Sequence, residues 1–164
     1  MRLFKETGWR WWWLIVLFIV VDQASKQWIV HNLPYGGSIP LLPVFELAHV
    51  YNTGAAFSIL SDAGGWQRWF FAGLALAISL VLMVWLSRIG PAQQPRLCLA
   101  LSLVLAGAIG NLIDRVLFGY VIDMLHVFYQ SWSYPVFNVA DSVICIGAVL
   151  LIWDSFKPEY EDKK

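Results

Sequence analysis

The sequence predicts an integral membrane α-helical protein: four transmembrane helices and a small β-rich subdomain in the first outer loop. Three observations predict it. Of the 164 residues, 59% are hydrophobic and only 13% charged, and mean hydropathy is +0.64. A soluble domain carries about a quarter of its residues as charges. Four stretches, 11–30, 66–86, 97–117 and 138–156, each approach the roughly 20 apolar residues that cross a bilayer. Basic residues are also segregated. Arg2, Lys5 and Arg10 precede the first stretch, Arg88 and Arg96 lie between the second and third, and Lys157, Lys163 and Lys164 follow the fourth. These are eight of eleven, and the rule that Lys and Arg stay inside makes their face cytoplasmic, with both termini on it. The outer segments 31–65 and 118–137 hold no Lys or Arg.

Each element has its own justification. The first stretch carries Asp22 and Lys26 and lacks a small-residue cleavage site, so it reads as a permanent helix, not a signal peptide. Trp9, Trp11, Trp12 and Trp13 suit the inner interface, and Trp66, Trp69, Trp132 and Tyr134 the outer one. Pro34, Gly36, Gly37, Pro40 and Pro43 predict an extended, turn-rich start to the loop 31–65. Residues 44–51, rich in β-formers, predict a short strand or two, and the small residues of Asn52-Thr53-Gly54-Ala55-Ala56-Phe57-Ser58 would let another backbone lie close. The segment 116–136 is apolar and is expected to hug the membrane surface. No repeat divides the chain, so residues 1–164 are read as one domain. Cys98 and Cys145 are read as small core residues, His31 and His49 as solvated or loop-bonding, and the mixed-charge run 157–164 as a solvated end. Neither the cysteines nor the histidines have metal-site spacing.

The acidic residues carry the chemistry. Asp114, Asp123 and Asp141 are the only ones between Arg68 and Asp154, and a carboxylate in apolar surroundings costs several kcal/mol unless paired, protonated or used. Asp123 falls just after the third stretch and Asp141 in the first turn of the fourth, so both approach the outer face. Facing carboxylates share a proton near neutral pH, and one can then deprotonate a water while the other protonates a carbonyl or leaving amine, the aspartic-protease route to amide hydrolysis. The plainer alternative makes Asp141 a helix-start carboxylate and Asp123 a surface-loop residue. Asn111, Asp114 and Arg115 share one helical face, either as a buried ion pair or with Arg115 holding a carboxylate or lipid phosphate. Asp22 and Lys26, four apart, read best as an intramembrane salt bridge with Lys26 snorkelling outward. Asn52 and Asn138 either orient reacting groups or cap a turn and a helix, Asn138 being a candidate N-cap for the fourth helix. A proton-coupled transporter would use similar acids, but near the midplane and with paired repeats. A non-catalytic scaffold would tolerate loss of Asp123 and Asp141.

Taken together, Asp22 with Lys26, the run 52–58, Gly110-Asn111-Leu112-Ile113-Asp114-Arg115, Val121-Ile122-Asp123 and Phe137-Asn138-Val139-Ala140-Asp141 resemble the lipoprotein signal peptidases (signal peptidase II), in order along the whole chain. Ile113 and Met124 stand where relatives often carry other apolar residues, a minor departure. The resemblance implies a bacterial inner-membrane aspartic endopeptidase that cuts a prolipoprotein before its diacylglyceryl-modified cysteine, with the active site near the periplasmic face. It places the catalytic dyad on Asp123 and Asp141 and supporting or substrate-binding roles on Asn52, Gly54, Asn111, Arg115, Asn138 and Ala140. Asp22, Lys26 and Asp114 become structural polar residues, and Gly54 and Ala140 leave room for an extended peptide. The long outer loop becomes a β-cradle on the membrane. The expected partners are the prolipoprotein and membrane lipid; a monomer is expected, with no cofactor, metal or nucleic acid.

Overall fold

The computed structural model describes residues 7–54, 64–90, 92 and 94–156. Residues 55–58 of the small-residue run, Arg2, Lys5, Lys157, Lys163, Lys164 and the rest of the mixed-charge tail lie outside the described residues. After a short 3-10 turn, Gly8–Trp11, come α1 (Trp12–Asn32), β1 (Ser38–Leu42), β2 (Phe45–Asn52), α2 (Trp66–Arg88), α3 (Pro95–Leu117), β3 (Val121–Tyr129), β4 (Trp132–Ser133) and α4 (Val139–Ser155). The helices match the four apolar stretches to within about two residues at each end. Among the described residues, three helical segments are long and apolar enough to cross a membrane: Gly8–Asn32, Trp66–Arg88 and Pro95–Leu117. α4 is shorter, at 17 residues.

The bundle is built around α3, which packs against α1, α2 and α4. Two thirds of its apolar window (67%) is buried, against 28% and 22% for the windows of the first two segments. Small residues make the central position possible. A Cβ on Gly107 would collide with the Ala140 carbonyl oxygen, and one on Gly147 of α4 would meet Val104 Cγ2 at 2.7 Å and Ala100 O at 2.8 Å. Close backbone approach of this kind is how helices gain packing in lipid, where apolar burial alone drives nothing. Leu82 and Leu86 of α2 and Ile15 of α1 close the apolar core around Leu101 and Leu105.

At one end of the bundle stands a four-stranded antiparallel sheet in the order β1-β2-β3-β4. β2 and β3 pair from Phe45↔Val127 to Asn52↔Val121, with a register shift between Leu47 and Val50. Such an irregularity bends the strand and adds twist. His49 sits at this shift, buried, with Nδ1 2.9 Å from Leu33 O, so it is loop-bonding, not solvated. The segment after α3, expected to hug the membrane surface, supplies β3 and β4. Its first four residues, Val121 to Met124, are all buried, so Asp123 is no surface-loop residue.

Candidate active site

The apolar bundle holds a buried ionic cluster. Lys26 on α1 is fully buried, and its Nζ lies 2.8 Å from Asp22 Oδ2 and 2.9 Å from Asp114 Oδ2 on α3. It also donates to Asn111 Oδ1 at 3.1 Å. Lys26 therefore does not snorkel: three acceptors around one ammonium satisfy all its protons inside, and no exposed position on α1 offers that. The carboxylates are also tied to backbone. Asp22 Oδ1 accepts from Ala140 N (2.9 Å) and Asp114 Oδ2 from Ile122 N (3.1 Å). Gln23, unremarked in the sequence, donates to Asp114 Oδ1 at 2.8 Å and to Gly110 O at 3.2 Å. One cluster thus pins α1, α3, the start of β3 and the start of α4 together.

Asp123 and Asp141 lie on the other side of Asn111. Asn138 caps α4 in a reciprocal box: its Oδ1 accepts from Asp141 N (2.9 Å), and its own N–H donates to Asp141 Oδ2 (3.2 Å). The Asn138 side-chain amide donates to Asp123 Oδ1 at 2.7 Å and reaches Asn111 Oδ1 at 3.2 Å. Asn111 Nδ2 donates to Asp141 Oδ1 at 2.8 Å. Asn52 Nδ2 donates to Asp123 Oδ2 at 3.0 Å, and its Oδ1 accepts from Gly54 N at 3.0 Å, so it both orients the carboxyl and closes a turn. Every oxygen of the two carboxyls has a neutral N–H donor. Burial pushes the Asp123 carboxyl up to about 7, and the neighbouring Asp141 charge acts in the same direction; the Asn52 and Asn138 amides oppose both.

Both carboxyls open onto a cavity of about 310 Å³ whose lining includes Asn52, Asn111, Arg115, Tyr134, Phe137 and Cys145. A second hollow of about 400 Å³, lined by Val127, Trp132, Tyr134, Phe137, Asp141, Ser142 and Cys145, lies beside it. Arg115 donates to Gly54 O at 2.9 Å and lies 5.6 Å from the Phe71 ring centre. Asn111, Asp114 and Arg115 leave α3 on one face but fan out: Asp114 to Lys26, Asn111 between the two clusters, Arg115 toward Gly54.

Two expectations need correcting. Ala140 leaves no room for a peptide: it is fully buried, its side chain faces Gly110 and its backbone faces Gly107, so its smallness serves helix packing. Cys145 is no core residue but is exposed along the cavity, whereas Cys98 is buried as expected. Arg68, inconspicuous in the sequence, also bears on the site: its Nε and Nη2 donate to Arg115 O (2.8 Å) and Val116 O (2.7 Å) at the end of α3. A lone cation on a span end otherwise free of Lys and Arg was the available signal. For Gln23 it was an amide in mid-helix beside Asp22. Among the described residues no group of His, Cys, Asp and Glu could hold a metal ion.

A family model described as signal peptidase (SPase) II matches residues 14–157. A protein of Pseudoalteromonas translucida named lipoprotein signal peptidase is 57% identical over 158 residues, covering 96% of this chain and 95% of the relative. One of the same name from Shewanella halifaxensis is 52% identical over 160 residues, covering 98% and 94%. Two solved structures described as bacterial membrane enzymes are similar. One has a TM-score of 0.80 and 30% identity, covering 94% of this chain and 99% of that one. The other has 0.77 and 31%, covering 92% of each.

Proposed function

This chain belongs to the signal peptidase II family, and from that premise we propose that it removes the signal peptide from diacylglyceryl-modified prolipoproteins, cutting before the lipidated cysteine, with Asp123 and Asp141 as the catalytic dyad. The observation that carries the reading is the shared cavity. Two carboxyls from different elements line it, each held by amide N–H donors and, among the described residues, neither in an ion pair. Amide donors fix a carboxyl's orientation while leaving it able to exchange a proton. A water between the two attacks the carbonyl before the cysteine; one Asp takes its proton and the other protonates the carbonyl oxygen. The tetrahedral gem-diol then collapses, and the proton passes to the leaving amine. Asn52 and Asn138 keep the carboxyls in register, and the Arg115 guanidinium at the cavity lining is suited to hold the substrate's backbone or headgroup region.

The placement follows from charge and length. The excess of Lys and Arg at one end of the spans supports cytoplasmic termini, which puts the sheet and dyad at the periplasmic face of the inner membrane. α4 rises about 25 Å at 1.5 Å per residue. That is near the lower limit for a span, and with Asn138 and Phe156 flanking it we read it as the fourth crossing. The chain acts as one membrane-embedded domain and as a monomer, on a substrate held in the outer leaflet by its acyl chains.

The test is cleavage of a diacylglyceryl-modified prolipoprotein by purified protein in detergent, read by gel shift. Wild type should cut, and D123N and D141N should not, while both variants remain folded. Cleavage by all three would keep a peptidase but remove this dyad. No cleavage by folded wild type would remove the peptidase reading.

A further inference from the structure

We propose that Lys26 is a positioning residue for the dyad: by locking the Asn111 amide in one orientation it makes Asp141 the ionised member at rest and leaves Asp123 to carry the proton. The inference rests on the dyad reading above and adds to it which carboxyl is base and which is acid. The argument is one of donors and acceptors. A lysine ammonium can only donate, so the Asn111 group facing Lys26 Nζ at 3.1 Å must be its oxygen. The same oxygen accepts from Asn138 Nδ2 at 3.2 Å. The amide is planar, so holding its oxygen between two donors turns its NH₂ toward Asp141, which it meets at 2.8 Å. Flipping Asn111 would set its NH₂ against the Lys26 ammonium and the Asn138 NH₂ and leave its oxygen against a carboxylate. Lys26 cannot move away, because it is fully buried and held on both sides by Asp22 and Asp114.

The consequence differs for the two acids. Asp141 receives the locked Asn111 donor and the Asn138 backbone N–H, and it stands in the first turn of α4, where the helix dipole favours negative charge. Asp123 stands on β3 with no helix start behind it, and its two donors are side-chain amides. The charged groups around Asp141 are Asp22 and Lys26 from α1, Asp114 and Arg115 from α3 and Asp123 from β3. Of the two cations, Arg115 turns toward Gly54 O, while Lys26 reaches Asp141 through a single shared amide. In the reaction, Asp141 then takes the water's proton and Asp123 gives its own to the carbonyl oxygen. One proton enters the dyad and one leaves, and the dyad ends with its roles exchanged until the amine is protonated.

The experiment is the pH profile of kcat/KM for wild type and K26M on the lipidated prolipoprotein, with thermal melts on the same samples. Without the lock, Asp141 protonates more readily. The acid limb should then move up by about one pH unit, and activity on the acid side of the profile should fall by up to about tenfold with KM little changed. An acid limb that stays put while activity falls in step with the folded fraction would reduce Lys26 to a structural pin and overturn the inference. Should K26M not fold, infrared spectra of protein labelled with ¹³C at its aspartate carboxyls read the same lock without cleavage. Asp141 ionised at neutral pH in D123N, and protonating at higher pH in D123N/N111L, supports it; Asp141 protonated at neutral pH in D123N, or unchanged by N111L, overturns it. Wild type that fails to cut removes the peptidase reading and leaves the infrared result to stand alone. Wild type that cuts while K26M keeps its limb removes only the present inference.

Discussion

Two clusters of aspartates sit on either side of Asn111, and they differ in what holds them. Asp22 and Asp114 share a fully buried ammonium at 2.8 and 2.9 Å. Among the described residues, Asp123 and Asp141 have only neutral amide and backbone donors, and they line a cavity. A counter-ion fixes a carboxylate in its charged form and so removes it from proton chemistry, whereas amides hold its geometry and leave its proton exchangeable. On the proposed reading, the same residue type in the same bundle is thus structural on one side and reactive on the other.

The largest effect expected from breaking this contrast is on activity. D141N or D123N keeps the shape of the side chain but removes an exchangeable proton site, so cleavage should drop by at least about a thousandfold in the gel-shift assay. A residual rate within tenfold of wild type would mean the cavity carboxyls are not the reacting pair.

On stability the two clusters should respond with opposite signs. D114N leaves Lys26 with a single carboxylate in a fully buried site, and loss of one partner of a buried pair costs about 3 kcal/mol. A lowered melting temperature in detergent reads this at any pH near neutral. Asp123 is the reverse case. Its carboxyl is raised to about 7 from 3.8, so the folded protein prefers it protonated. The stability tied to that proton is complete below about pH 4, where the unfolded chain also holds it, and is lost as pH rises through about 7. D123N cannot ionise and should melt higher than wild type at pH 8, by up to about 4 kcal/mol, while matching it near pH 4. The same titration sets the alkaline limb of activity near pH 7, because the dyad needs one proton. A D123N protein that melts lower than wild type at pH 8 would place Asp123 with the structural acids.

How much of this contrast is legible in the chain follows from its physics. The helices are plain because a run of about 20 apolar residues has few other fates. β2 is plain because its β-formers follow a turn-rich segment. β3 was hidden: its first four residues are all buried, so Val121 to Met124 show no alternation of polar and apolar residues. The capping role of Asn138 could be read locally, since the box lies within four residues. Lys26 could not, because its second carboxylate, Asp114, is 88 positions away and meets it only once α1 packs on α3. Taken alone, an i, i+4 pair on a lipid-exposed helix does snorkel. Ala140 misled for the same reason: its neighbours Gly107 and Gly110 belong to another helix.

The smallest expected effect concerns the joint between the clusters and the sheet. α3 ends with carbonyls that its own helix cannot satisfy, and Arg68 donates to two of them, at Arg115 and Val116. Near that end the chain turns at Gly119 with φ +89°, where an added Cβ would lie 3.1 Å from Arg68 Nη1. The guanidinium thus fills the corner from which β3 leaves toward Asp123, and its charge suits a helix C-terminus. R68M keeps the aliphatic stem and removes both bonds, so it should cost about 1 kcal/mol, much of the site being open to solvent. The activity readout separates two possibilities. If the corner only stabilises, R68M should cut at the wild-type rate below its melting point. If it sets the path of β3, kcat should fall a few-fold with the pH limbs unmoved, because Asp123 would be displaced without a change in its charge environment. A shifted limb in R68M would instead show that Arg68 acts electrostatically on the dyad, and the division into a counter-ion cluster and an amide cluster would need a third member.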